Sequence, residues 1–245
     1  MDARLSISTA RLRAEGLEPP LRLARESDLG LEISLHPGYL LDEALFEALA
    51  GLVHRPSVHL PHQGLDPLSP DPELGALSLR RLLLGLRRAA QLGADRAVFH
   101  SGIPYGHTPG EALARGRRLA EVLRPVVEEA GSLGIRLLLE NSHEPTPEAL
   151  LPLLESYPEA MGFCFDAAHA RVFSRLPQLA PWLALGPEHL HLNDTDGLFD
   201  RHWNLGQGVL DHASWLPAYL DRTVVLEVRE DPTPSLRLLR RLTHG

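Results

Sequence analysis

The sequence contains a single cysteine and no lysine. With Cys164 alone, an intrachain disulfide is impossible, so small secreted domains that depend on disulfides are excluded. The absence of lysine excludes a Schiff-base mechanism, because that chemistry needs a lysine amine. Codon bias is the simplest explanation for the exclusive use of arginine, although arginine also suits bidentate contacts with phosphate.

Long apolar runs, positive net charge and aromatic residues are scarce as well. No apolar segment approaches the about 20 residues needed to cross a bilayer, and the N-terminus lacks a basic stretch followed by an apolar run. We therefore expect a cytoplasmic protein without a membrane partner or an obligate protein partner. The net charge of −8 disfavours nucleic-acid binding by the molecule as a whole, but a local basic patch could still bind it.

Short apolar runs alternate with longer helical patterns along the whole chain. The runs are continuous, which is typical of strands that are buried on both faces. We place strands at residues 5–9, 31–35, 57–60, 96–100, 136–140, 162–166, 189–193 and 223–227. The clearest helices are predicted at 42–52, 77–93 and 109–134, and shorter ones within 145–157, 211–220 and 232–242.

Eight strands separated by helices favour an α/β fold, namely a single (β/α)8 TIM barrel over residues 1–245. The length of 245 residues is close to the about 250 that are typical of this fold. An open, doubly wound sheet is the rival, but no Gly-x-Gly-x-x-Gly follows an early strand. The proline-rich stretch 64–75 is predicted to be a long loop on the active face.

Six consecutive strands each carry one potential metal ligand at or near the C-terminal end. TIM-barrel enzymes have their active sites at that end. Buried carboxylates repel one another unless cations lie among them, and these strand ends carry no arginine, so metal ions are the simplest compensating charge. The six residues are His59, His100, Glu140, Asp166, His191 and Glu227.

Three further residues join this group. His169 follows Asp166 by about one helical turn, so both side chains can point into one cavity. Asp200 and His202 alternate on the segment after strand seven, so they project to the same side if it is extended. Nine nitrogen and oxygen ligands are too many for one tetrahedral zinc, but they suit two or three ions that share a carboxylate.

Each of these residues also has an ordinary interpretation. The chain contains 13 histidines, and a lone histidine in a strand is usually a core or surface residue. Asp-x-x-His is common by chance, and Asp-Arg-His could be a solvated loop. The order and location of the whole set favour the metal interpretation. His36 and His62 lie on the same predicted rim, and we interpret them as substrate contacts.

The motifs VHLP, VFHSG, LLLENS, CFDAAHA, HLHLND, DRHWNLGQG and VLEV occur in this order between about residues 59 and 227. In these motifs the chain resembles the endonuclease IV group (AP endonuclease family 2) of the xylose isomerase-like TIM barrels. The segment after strand two, LHPGYLLDEAL, does not match the polar and aromatic loop with which that group grips DNA.

The resemblance implies a site with three zinc ions, although manganese or iron would also suit the ligands. His59, His100 and Glu140 would hold the first ion. Glu140 would be the catalytic bridging ligand to a second ion, and it would be joined there by Asp166, His191 and Glu227. The third ion would be held by His169, Asp200 and His202. Asn141 and Arg201, which adjoin ligands in the sequence, are further candidate substrate-binding residues.

Three functions remain open at this point. The resemblance implies metal-dependent phosphodiester hydrolysis, acting on abasic DNA or a related phosphate substrate. The alternative is a sugar isomerase or epimerase in which Glu140, Asp166, His191 and Glu227 bind one divalent ion. A third possibility is a binding protein that has lost catalysis, but the intact ligand set disfavours it.

Overall fold

The computed structural model describes residues 4–9, 16–176 and 178–244. Eight parallel strands form a closed barrel in chain order, and β1 pairs with β8 to complete it. The TIM-barrel prediction is therefore confirmed. The strands are β1 Leu5–Ser8, β2 Gly30–Ser34, β3 Pro56–His59, β4 Arg96–His100, β5 Arg136–Glu140, β6 Met161–Asp166, β7 His189–Leu192 and β8 Thr223–Leu226.

Helices cover the outside of this barrel, and none of those described is long and apolar enough to cross a membrane. The helices are α1 Glu18–Glu26, α2 Pro37–Leu40, α3 Glu43–Leu49, α4 Pro72–Leu92, α5 Pro109–Val122, α6 Arg124–Ser132, α7 Leu151–Ser156, α8 Ala167–Phe173, α9 Ala180–Leu183, α10 His212–Trp215 and α11 Thr233–His244. Single 3-10 turns at Pro147–Ala149 and Leu216–Tyr219 precede α7 and follow α10.

Two predicted helices have different boundaries in the structure. Helix α4 begins at Pro72, inside the stretch that we predicted to be a loop, because the Asp71 carboxylate caps it by accepting from the Glu73 amide at 2.9 Å. The single helix predicted over 109–134 is two helices, since α5 ends before Arg124 and Pro125 stands in the first turn of α6.

The interior of the barrel is unusually polar. Alternate residues of a strand point to opposite faces, so Leu31 and Ile33 join the apolar layer under the helices while Glu32 lies inside the barrel. Among the described residues, a small apolar cluster of Val98, Leu138 and Cys164 lies apart from that outer layer at interior strand positions. Buried polar groups need partners, so this interior has to satisfy its charges internally.

Candidate metal centre

All nine predicted ligands converge at the C-terminal mouth of the barrel. They fall into adjoining groups in which one ligand atom per residue lies within 4.8 Å of the others. Two of the groups reproduce the sets expected for the second and third ions. The groups are His59, His62 and His100; Glu140, Asp166, His191 and Glu227; and His169, Asp200 and His202.

Glu140 lies between the groups and presents a different carboxylate oxygen to each side. Its Oε2 lies 3.0 Å from Nε2 of His59 and 3.0 Å from Nε2 of His100. Its Oε1 lies 3.2 Å from Nδ1 of His191 and 3.2 Å from Nδ1 of His169. Because the side chain is fully buried at the end of β5, it can bridge two cations without rotating.

The first group brings together atoms that repel one another unless a cation or proton lies between them. His59 Nδ1 lies 2.9 Å from the Leu60 carbonyl, which can only accept a hydrogen bond, so Nδ1 carries the proton. In neutral His59 the lone pair of Nε2 therefore faces Glu140 Oε2 at 3.0 Å and Nε2 of His100 at 3.2 Å. Bonds of about 2.0–2.1 Å around a tetrahedral zinc separate neighbouring ligand atoms by about 3.3 Å, so these three atoms fit one such ion.

The third group follows the same rule. His169 Nδ1 donates to the Asn141 carbonyl at 2.9 Å, and His202 Nδ1 donates to the Glu227 carbonyl at 2.7 Å. Both Nε2 atoms are then free of protons in the neutral rings. Asp200 Oδ2 lies 2.7 Å from Nε2 of His202 and 3.8 Å from Nε2 of His169, so a carboxylate faces two ring nitrogens. Backbone carbonyls thus fix the tautomers that metal binding requires.

The second group is the most deeply buried. Asp166 is fixed by the backbone amide of His169, which donates to Oδ1 at 2.8 Å, and by Asn193 Nδ2, which donates to Oδ2 at 2.8 Å. Nδ1 of His191 lies 3.8 Å from Glu227 Oε2. The same nitrogen also faces the Glu140 carboxylate. Three carboxylates thus surround one imidazole, and a bound cation would offset the repulsion between their negative charges.

The pKa shifts at the mouth reflect this unusual concentration of charge. Burial raises the pKa of Asp166. Burial also opposes ionisation of Glu140, but the charges of His191 and His100 outweigh it and hold the Glu140 pKa well below its ordinary value. Burial lowers the pKa of His169, yet the carboxylates of Asp166 and Asp200 prevail and raise it well above the ordinary value. Strong shifts of opposite sign in one cleft are typical of functional sites.

Glu32 is a component of this centre that our sequence analysis missed. It is fully buried on β2 beneath the candidate ligands, with Oε1 3.0 Å from Nε2 of His191 and Oε2 3.4 Å from Nε2 of His189. Ser57 Oγ donates to Oε2 at 3.1 Å. A glutamate in the middle of the apolar run LEISL was the signal, because a buried charge needs a specific partner.

The predicted substrate contacts have varied surroundings. Asn141 has both ends of its amide occupied, because Nδ2 donates to the Asp166 carbonyl at 2.8 Å and Oδ1 accepts from the Asp166 amide at 2.9 Å. These two hydrogen bonds join β5 to β6, and the role of Asn141 as a substrate contact stays a prediction. His36 does not line the cavity described next, as far as the described residues extend. Arg201 donates to Asp196 at 2.7 Å and stacks over Phe199.

A cavity of about 210 Å³ opens above the ligands. His143 and Phe173 form one wall, with ring centroids 4.6 Å apart. Outside the cavity, Leu198 and Phe199 lie exposed on the segment that leads to Asp200. This volume is smaller than the about 300–1,000 Å³ of a typical ligand pocket.

Comparison with known proteins gives a consistent family assignment. Residues 23–242 match the family model described as xylose isomerase-like TIM barrel. The chain belongs to this family. A protein from Symbiobacterium thermophilum named probable endonuclease 4 is 33% identical over 167 residues, which are 59% of this chain and 59% of that protein. The match thus spans about three fifths of the relative's length.

Two solved structures give further likenesses. The TTHB071 protein from Thermus thermophilus, determined after soaking with ZnCl2, is 61% identical, with a TM-score of 0.93 over 99% of this chain and 98% of that one. A D-tagatose 3-epimerase-like protein is 20% identical, with a TM-score of 0.77 over 98% of this chain and 96% of that one. The second likeness establishes a shared fold only, because related folds carry different activities.

Proposed function

We propose that this protein is a metal-dependent phosphodiester hydrolase with three zinc ions, resembling endonuclease IV and acting on abasic DNA or a related phosphate substrate. The observation that carries the proposal is the set of three adjoining ligand groups joined through Glu140. A single-ion enzyme needs only one of these groups. The relative named probable endonuclease 4 supports the hydrolase activity, and the structure soaked in zinc chloride supports zinc as the metal.

Different residues of the chain have different roles in the proposed hydrolysis. Zinc ions bound here would polarise a phosphate oxygen and lower the pKa of a water molecule towards about 7. Glu140 joins the first and second groups, since one of its oxygens faces each of them. Asp200 and His202 reach the mouth from the loop after β7 and, together with His169, would hold the third ion. His143 and Phe173 form one wall of the cavity above these groups.

The rim of the site suits a substrate with exposed bases. Leu198, Phe199 and Val209 are each more than half exposed, although large apolar side chains are usually buried. The Arg201 guanidinium lies 4.6 Å from the Phe199 ring centroid and 5.7 Å from that of Trp203. Aromatic and guanidinium planes are the surfaces on which unstacked bases bind, and they provide contacts that a free sugar cannot use.

The experiment is cleavage of a duplex with one abasic site by the zinc-loaded protein. We expect cleavage beside the lesion, abolished by a chelator and restored by zinc. Glu140→Ala should reduce the rate more than about 100-fold, because the bridge between two ions is lost. The exposed Glu155→Ala variant is the matched control and should retain full activity. A folded, zinc-loaded protein that cleaves neither this duplex nor other phosphodiesters would disprove the proposal.

A sugar isomerase or epimerase is the second candidate, and the quartet of Glu140, Asp166, His191 and Glu227 favours it. These four residues suffice for one divalent ion, and Glu140 and Glu227 could move protons between adjacent carbons. Metal stoichiometry separates the candidates. About three ions per chain support the hydrolase, whereas about one ion, together with isomerisation of a ketose, supports the epimerase.

A further inference from the structure

His62 lies against His59 and His100. The substrate contact that we predicted for His62 does not explain this position. A ring nitrogen of His62 lies within 4.8 Å of the ligand nitrogens of His59 and His100. Its Nδ1 is buried and has no hydrogen-bond partner, and among the described residues no carboxylate lies within ion-pair distance of it. Burial of an imidazole nitrogen without a hydrogen-bond partner costs free energy, and a bound ligand would offset that cost.

The three rings are arranged as three imidazoles around one centre. Their centroids are 4.9 Å apart for His59 and His100, 4.8 Å for His59 and His62, and 4.5 Å for His62 and His100. Zinc–nitrogen bonds of about 2.0–2.1 Å in a tetrahedral site bring ring centroids to about 5 Å from one another. The triangle is therefore nearly the one that a shared ion requires.

The backbone holds His62 in this position. Pro61 precedes it and fixes its own φ, and the Leu60 amide donates to the Val98 carbonyl at 2.7 Å, which anchors the segment to β4. The Leu65 amide donates to the His62 carbonyl at 3.1 Å and closes a tight turn. The ring is thus presented to the mouth by a braced turn that directly follows the ligand His59.

We propose that His62 is a fourth protein ligand of the first zinc ion, in addition to His59, His100 and Glu140. This inference rests on the proposed function. Four protein ligands close a tetrahedral zinc site, whereas catalytic sites keep an open position for water or substrate. The first ion would then hold Glu140 in place, and substrate would bind at the second and third ions only.

Zinc titration of the metal-free protein tests this assignment, with the affinity of each site measured by competition against a chelating indicator. His62→Phe removes the nitrogens but keeps an aromatic ring in the space. We expect three sites in the wild type, and in the variant a loss of at least about 100-fold in the affinity of one site. His143→Phe is the matched control, because His143 lines the same cavity but belongs to no ligand group.

Unchanged affinities in His62→Phe, or an equal loss in His143→Phe, would overturn the assignment and leave His62 as a ring stacked on His100. A crystal of the wild type grown with zinc gives a second measurement that does not depend on the folding of a variant. An ion about 2.0–2.1 Å from a His62 nitrogen supports the proposal, and an ion bound only by the other three residues refutes it. Abasic-site cleavage by a wild type that binds three ions would sustain the hydrolase proposal in either case.

Discussion

At the scale of single residues, Glu32 decides which nitrogen of His191 is available at the mouth. Oε1 of Glu32 lies 3.0 Å from Nε2 of His191, on the opposite side of the ring from the Nδ1 that approaches Glu140. The negative charge of this carboxylate favours a proton on Nε2, which would leave Nδ1 for a cation at the mouth. His189 contacts the other Glu32 oxygen inside the barrel and so helps to hold the Glu32 carboxylate in place.

Replacement of Glu32 should therefore weaken metal binding without removing a ligand. Glu32→Gln keeps the shape of the side chain but removes the charge that polarises His191. We expect zinc affinity to fall about 10- to 100-fold, as is usual when the carboxylate partner of a ligand histidine is lost. Competition with a chelating indicator measures the change, and the exposed Glu47→Gln is the control. Equal affinities in the two variants would mean that Glu32 serves folding alone.

At the scale of elements, the segment from residue 194 to residue 210 carries Asp200 and His202 without regular secondary structure. Asp194 holds this loop from the inside. Its fully buried carboxylate accepts from the amides of Gly206 at 2.9 Å, Gly208 at 3.0 Å and Leu210 at 3.2 Å. A Cβ on Gly208 would lie 2.2 Å from the Thr195 carbonyl oxygen, so only glycine allows this approach.

Loss of this anchor should disturb the third ligand group selectively. In Asp194→Ala these three amides and that of Thr195 lose their acceptor, so the positions of Asp200 and His202 relax while the strand-borne groups remain fixed. We expect the number of tightly bound zinc ions to fall from about three to about two per chain, as measured by atomic absorption after gel filtration. Asp221→Ala, at an exposed position, should keep all three. A variant of Asp194 with a full complement of zinc would contradict this role of the loop anchor.

At the scale of the whole molecule, the barrel encloses acids and imidazoles where most TIM barrels pack branched apolar side chains. Glu32, Glu140, Asp166 and His191 are all fully buried. Buried charges are tolerated only when they are compensated. Without metal, the protein has to compensate them with protons that the acidic and imidazole side chains share. Bound cations should therefore stabilise the native fold as well as supply chemistry.

Removal of metal should accordingly lower the thermal stability. A ligand that binds only the native state at about 100 times its Kd adds about 2.7 kcal/mol to the free energy of unfolding, which corresponds to roughly 5–10 °C in Tm for a chain of this size. Calorimetry of the chelated protein, before and after zinc is restored, measures this shift. Glu140→Ala should show a clearly smaller response to zinc. A Tm that is indifferent to chelation would indicate that the centre needs no cation.

The barrel and the convergence of most of the candidate ligands were predictable from local patterns. Continuous apolar runs define the strands, and the ends of parallel strands meet at one face, so His59, Glu140 and Asp166 could be placed together without a structure. The break between α5 and α6 and the start of α4 were less predictable, because helix boundaries depend on single caps and prolines.

The sequence by itself determined the fold and the residue types at the mouth, because strand periodicity places six of the nine candidate ligands at or next to the ends of strands. Only the tertiary structure decided how these residues pair. The packing of Glu32 under His191, the confinement of the Asn141 amide and the position of His62 against His100 depend on barrel closure and register. These contacts join residues 25 to 159 positions apart in the chain, and local periodicity carries no information about distances of that kind.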